Sequence, residues 1–262
     1  MIAILHDYWR AYLWHDGYQY SGLVVTLWLL VISLLMGFAL SLPLAVARAS
    51  KRRWLSAPVW CFTYLFRGTP LYIQLLLIYS GLYSLGFIQH QPVLNAFFRN
   101  GFYCAILALG LNTTAFTTEL FAGAIKAVAA GEIEAARAFG LGRVAMYRTI
   151  ILPAALRRAL PYYGNEVILM LHATAIAFTA TVPDVLKVAG DVNAETYMSF
   201  QAYGIAALIY LAASCLLITL FRLGERRWLA FTRPKALPEA RSSRWKNYWS
   251  IISAKVSATI RY

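Results

Sequence analysis

Long apolar runs separated by short polar and basic segments organise this chain. A helix crossing the hydrocarbon core of a bilayer needs roughly 20 predominantly apolar residues. Five stretches meet that requirement: residues 22–47, 57–82, 102–125, 162–182 and 202–221. The first ends at Arg48, Lys51, Arg52 and Arg53, and the second is interrupted by Arg67-Gly68-Thr69-Pro70. The fourth closes at Pro183-Asp184, and the fifth runs into Arg222, Arg226 and Arg227. The pattern predicts an all-α, polytopic membrane bundle of about five transmembrane helices. Residues 1–20 mix His6, Asp7, Arg10, His15 and Asp16 with aromatics, without a basic head before an apolar core. No cleaved signal peptide is expected there, so the first span stays in the mature protein.

Between the third and fourth stretches the period changes. In residues 126–161, Ile133, Ala136 and Gly140 fall on one helical face, flanked by Phe139. Gly131 reads as the N-cap, with Glu132 and Glu134 in a first turn where the helix dipole favours carboxylates. Gly140 and Gly142 end that helix, and a second piece runs through Met146 to Ile151 before Pro153. The segment is predicted as a helix-turn-helix. A short amphipathic element of this kind either lies on lipid or docks on a partner.

Composition places the chain in lipid. Charged residues make up 13%, about half of what a soluble domain carries, while 60% are hydrophobic. Eight Trp suit a protein with two membrane interfaces to anchor. The net charge of +13 would suit a nucleic-acid binder if the basic residues shared one face of a soluble fold. They sit instead in blocks between apolar runs: four at 48–53, six at 126–158 and ten from Arg222 onward. Arg10, Arg99 and Lys187 fall in the alternate segments, and Arg67 lies within a span. The positive-inside rule therefore predicts an N-out, C-in orientation and no nucleic-acid partner. The chain divides into a transmembrane domain, 1–234, and a basic tail, 235–262, with Trp245, Tyr248 and Trp249 among its cations. Two readings of the tail stand side by side, adsorption to the anionic inner leaflet and disorder. Cys61, Cys104 and Cys215 are scattered in apolar stretches without metal spacing and read as small buried hydrophobes.

The chain carries no GxxxxGK[ST], HExxH or GxSxG, and its four histidines do not cluster. No catalytic residue, metal ligand or cofactor is expected in it. If it pumps, the energy comes from another chain.

Glu134-Ala135-Ala136, three residues, Gly140, nine residues, Ile150, one residue and Leu152-Pro153 together resemble the EAA loop of bacterial ABC-importer permeases. Phe66-Arg67-Gly68-Thr69-Pro70-Leu71 with Gln74 looks like the second span of the polar-amino-acid branch. Asn112-Thr113-Thr114 through Glu119, with Phe121-Ala122-Gly123-Ala124-Ile125, looks like its third. Asn165-Glu166-Val167-Ile168-Leu169 and Thr181-Val182-Pro183-Asp184 look like its fourth. The likeness covers roughly residues 20–234 and points to the M-type permeases of histidine and lysine/arginine/ornithine uptake; the tail departs from it. The resemblance implies a multi-pass permease of the bacterial inner membrane, importing a polar, basic L-amino acid (histidine, lysine, arginine or ornithine) from periplasm to cytoplasm. It implies a heterodimer with a second homologous permease, two ATPase subunits holding ATP and Mg, and a periplasmic amino-acid-binding protein. It also assigns the loop a role: the helix enters a cleft on the ATPase. Ala135 and Ala136 permit close approach there, Glu134 caps the helix or meets a basic partner residue, and Gly140 turns the chain. The rival reading is a channel or exporter component that works without an ATPase.

Charges inside lipid are costly and usually face the bundle interior with a partner. Arg67, Glu119 and Glu166 lie in or near spans, and Asn112, Thr113 and Thr117 accompany them. These six are the candidate substrate-pathway residues. For Arg67 the alternative is a structural ion pair with one of the carboxylates. For Thr113 and Thr117, and for Thr114 and Thr118 beside them, it is bonding back to the helix's own carbonyls. Pro70, Pro161 and Pro183 either free carbonyls for a transport site or simply punctuate spans.

Overall fold

A computed structural model describes residues 2–228, so the tail 235–262 lies outside the described residues. The described residues up to Glu225 form one compact unit. The described residues are helical apart from turns and two isolated bridges, His15–Tyr20 and Gly22–Asp184. In chain order the helices are α1 (Ile2–Leu13), α2 (Leu23–Ala49), α3 (Arg53–Gly68) and α4 (Leu71–Leu76), the last extended by a π-helical turn, Leu77–Leu82. The short α5 (Gly86–His90) and α6 (Pro92–Phe98) lead to α7 (Gly101–Lys126). Then follow α8 (Ala130–Ala138), α9 (Arg143–Met146), a π turn (Tyr147–Ile151) and α10 (Leu152–Ala173). A 3₁₀ segment (Thr174–Ala180), α11 (Val185–Thr196) and α12 (Ser199–Trp228) complete the described chain.

Three of these helices are long and apolar enough to cross a membrane: α2, α7 and the Ser199–Glu225 part of α12. The pair Arg53–Gly68 and Leu71–Leu82 makes a fourth if it counts as one span, bent by 103°. The bend falls where the sequence interrupts the second apolar stretch. Pro70 has no N–H and disfavours helical geometry in the residue before it, and Thr69 is extended at φ −111 and ψ 144. The fourth stretch, 162–182, is not one apolar helix. Its helix begins ten residues earlier, at Leu152, includes Arg157 and Arg158, and gives way to the 3₁₀ segment at Thr174.

Helix α7 is the centre, packing on α2, α3, α4 and α10. Asn100 caps it, its side chain accepting from the Phe102 N–H at 2.9 Å. Between α2 and α7, small residues let the backbones approach closely. A Cβ at Gly37 would stand 2.3 Å from Thr113 Cγ2, and one at Gly110 would stand 2.0 Å from Met36 Cε. A side chain at Gly37 would displace Thr113, and one at Gly110 would force the Met36 end to move.

Besides the short α5 and α6, two elements have no counterpart in the five-stretch pattern. Helix α1 packs its Ile4 and Tyr12 on Val185, Val188 and Val192 of α11 and on Ala202 and Ile205 of α12. Tyr12 is fully buried, and its hydroxyl donates to the Ala202 carbonyl at 3.0 Å; that of Tyr8 donates to Glu195 at 2.8 Å. The second, α11, is capped by Asp184, as described below.

Candidate functional site

The loop after α7 folds as two helical pieces around a glycine turn. Its first helix starts two residues earlier than the glycine pattern suggested: Ala129, not Gly131, is the N-cap, and Glu132 is the acid of the first turn. Its C-terminus is a Schellman closure. The Gly140 N–H donates to Arg137 O at 2.9 Å and the Leu141 N–H to Ala136 O at 3.1 Å. That closure requires a left-handed residue, and Gly140 has φ +70. Ala136 is buried, packed in one core with Phe121 and Ile125 of α7, Met146, Ile151 and Ala155. Ile150 and Leu152 flank the same core. Pro153 stands in the first turn of α10, directly after the π turn.

The buried side of α8 thus fixes the loop to the bundle. Its other side is open: Glu134, Ala135 and Phe139 are exposed, Phe139 at 87%. Phe139, at the end of this short polar helix, belongs to none of the apolar clusters of the described residues. One side chain ties the open helix to the spans. The Arg158 guanidinium of α10 donates to the carbonyl of Ala127, the C-cap of α7, and lies 3.8 Å from the Glu132 carboxylate.

The six polar candidates separate into distinct environments. Glu119 of α7 pairs with Arg48 at the end of α2, not with Arg67. Arg48 Nε donates to Glu119 Oε1 at 2.6 Å, and Thr63 Oγ1 of α3 donates to the same atom at 2.7 Å. The expected Arg67–carboxylate ion pair is absent among the described residues, because Arg48 reaches Glu119 first and Arg67 turns toward the Phe116 ring, 5.1 Å from its centroid. Arg48, Thr63, Arg67 and Glu119 border an open crevice of about 340 Å³, with Trp60 and Tyr64 on its outer wall.

Asn112 serves the break between α3 and α4. Its Nδ2 donates to Phe66 O at 3.3 Å and to Gln74 Oε1 at 3.2 Å. Gln74 Nε2 donates to Phe66 O at 2.7 Å, Thr69 O at 3.0 Å and Thr69 Oγ1 at 2.8 Å. Carbonyls freed by Pro70 would be left bare in hydrocarbon, and these two amides satisfy them. Thr113 and Thr117 are fully buried with hydroxyls unpartnered among the described residues, and Thr113 faces Gly37 of α2. Their neighbour Thr114 does bond back, to Gly110 O at 2.6 Å. Glu166, half-buried on α10, makes no ion pair among the described residues.

One buried network escaped the sequence reading. Asp184 is fully buried; it accepts from the Lys187 N–H at 2.9 Å as the N-cap of α11 and from Tyr210 Oη at 3.3 Å. The Val185 N–H donates to Thr26 Oγ1 at 3.2 Å, so α2, α11 and α12 meet here. An Asp directly before an apolar helical run is an N-cap signal, and Pro183-Asp184-Val185-Leu186 carries it.

Comparison with known proteins supplies the context for this geometry. Residues 37–228 match the family described as binding-protein-dependent transport system inner membrane component. The histidine/lysine/arginine/ornithine transport system permease protein HisM of Escherichia coli K12 is 58% identical over 236 residues, covering 90% of this chain and 99% of that protein. The octopine transport system permease protein OccM of Rhizobium radiobacter is 38% identical, covering 89% and 92%. A crystal structure of an amino acid ABC transporter with histidines matches with a TM-score of 0.73 at 30% identity, over 87% of this chain and 98% of that one. An inward-facing MetNI methionine ABC transporter shares the fold, with a TM-score of 0.67 at 19% identity over 79% and 94%. The chain belongs to the family of inner membrane components of binding-protein-dependent transport systems, permease subunits of ABC transporters in which a separate chain hydrolyses ATP.

Proposed function

We propose that this chain is one permease of an importer for cationic L-amino acids, the histidine, lysine, arginine and ornithine class. It pairs with a second homologous permease on two ATPase subunits that hold ATP and Mg, and a periplasmic binding protein delivers the cargo. The observation that carries the cargo class is the 58% identity to the histidine/lysine/arginine/ornithine permease across 90% of this chain. The site agrees with it. Of the two carboxylates among the candidate pathway residues, Glu119 is neutralised by Arg48, which leaves Glu166 for a transient cation. Glu134, Ala135, Ala136, Gly140, Ile150, Leu152 and Pro153 form the coupling loop, with Glu134, Ala135 and Phe139 facing the ATPase. The positive-inside pattern supports placing this loop in the cytoplasm and α1 outside.

Deleting the gene tests the reading. Uptake of the four cationic amino acids should fall while uptake of neutral ones stays, and Glu166→Gln should reproduce that selectivity with the complex assembled. Unchanged cationic uptake in the deletion strain refutes the cargo assignment. Purification in mild detergent without an ATPase subunit supports the channel or exporter reading instead.

A further inference from the structure

Arg67 sits at the last turn of α3, beside the 103° break, exposed and with its guanidinium over the Phe116 ring. The crevice it borders, about 340 Å³, falls within the range of small-molecule sites, roughly 300–1,000 Å³. The other cation of that crevice, Arg48, is committed to Glu119 at 2.6 Å. Among the described residues Arg67 has no ion pair. An amino acid leaving water must bring its carboxylate with it, and a desolvated carboxylate needs a charged partner. A planar guanidinium fork meets a carboxylate with two parallel hydrogen bonds, a match that an ammonium cannot make.

We propose that Arg67 binds the α-carboxylate of the amino-acid cargo, leaving the cargo's cationic side chain to Glu166. Glu166, half-buried on α10 and without an ion pair among the described residues, supplies the opposite charge that a zwitterion with a basic side chain requires. The assignment rests on the reading above, that this subunit touches the cargo.

The test is equilibrium binding of lysine and of cadaverine, which is lysine without its carboxylate, to the purified whole complex without binding protein. Wild type should hold lysine more tightly than cadaverine. Arg67→Gln should weaken lysine about tenfold or more and leave cadaverine unchanged, since a hydrogen-bonded charge is worth roughly that factor. Arg67→Lys should fall between the two. Glu166→Gln should weaken both ligands and keep the preference for lysine. Lysine binding unaltered by Arg67→Gln refutes the proposal, as does equal loss of both ligands, which would mark Arg67 as structural or as a partner of the second permease. Dissociation of the complex in both Arg67 variants refutes it as well. If wild type retains neither ligand, this subunit's contact with cargo is refuted and the inference goes with it.

Discussion

Arg48 Nε stands 2.6 Å from Glu119 Oε1, joining the end of α2 to the inner part of α7, and Thr63 of α3 shares the same oxygen at 2.7 Å. Three helices therefore meet at one carboxylate. Both side chains of the pair are only about a fifth exposed, at 20% and 21%, so solvent screens the contact weakly. Removing the charge of Glu119 leaves Arg48 without its partner and costs about 2 kcal/mol. Glu119→Gln should lower the melting temperature of the purified complex and reduce uptake of all cargoes alike. A selective loss of cationic uptake with unchanged stability would move Glu119 from the scaffold into the transport path.

Gly140 at φ +70 closes α8 in a conformation that a β-branched residue enters only with strain of about 1–3 kcal/mol. Open space surrounds the position where its Cβ would stand, so the penalty of Gly140→Val comes from the backbone alone. The closure should open and carry Phe139 out of place. Uptake should drop at least tenfold while the chain still inserts, and ATP hydrolysis should lose its response to the binding protein. Gly140→Asn, which enters the left-handed region more readily, should recover part of the activity. Equal activity in both variants would show that the loop does not couple.

The loop was legible because its signals are local: residue spacing, glycines at the turn, and an apolar face on Ile133 and Ala136. The cap shifted, since Ala129 carries no capping side chain to announce it, and the second piece runs on through Pro153 into α10. The long apolar helices were legible for the same reason, and the break at Pro70 is written in the chain itself. What stayed hidden depends on distant partners. Arg48 reads as one of a block of basic residues at a helix end, and nothing local says that it folds back onto Glu119, 71 positions away. Thr113 and Thr117 look like a polar stripe, yet Gly37 draws the Thr113 face of α7 into the α2 interface. Helix α1 is half polar and only 12 residues long, so it resembles neither a span nor a loop; its burial depends on α11 and α12.

Orientation is testable with single cysteines in a chain lacking Cys61, Cys104 and Cys215. Gln91, between α5 and α6, and Ala194, in the last turn of α11, are exposed and lie outside the three long apolar helices, and Val144 is 72% exposed in the segment after α8. Val192 itself is buried and would mislead as a probe. An impermeant thiol reagent should label cysteines at Gln91 and Ala194 in intact spheroplasts, and one at Val144 only after lysis. Labelling of Val144 from outside would invert the topology and with it the coupling assignment.

Arg158 offers the sharpest separation of stability from coupling. Its ion pair with Glu132 spans 3.8 Å between side chains 43% and 47% exposed, so the pair contributes under about 1 kcal/mol. Its position matters more than its strength. One guanidinium joins the carbonyl at the end of α7, the first turn of α8 and the body of α10. Under the proposed docking of α8 on the ATPase, a push on α8 reaches two long helices through this contact as well as through the Ala136 core. Arg158→Ala should leave insertion, assembly and melting temperature nearly unchanged. It should also raise ATP hydrolysis in the absence of binding protein relative to hydrolysis in its presence, with less cargo moved per ATP. Arg158→Lys keeps the charge but not the planar fork and should restore part of the coupling. Glu132→Gln should fall between wild type and Arg158→Ala, because the Ala127 hydrogen bond survives. A normal cargo-to-ATP ratio in Arg158→Ala would assign force transmission to the apolar contacts of Ala136 alone.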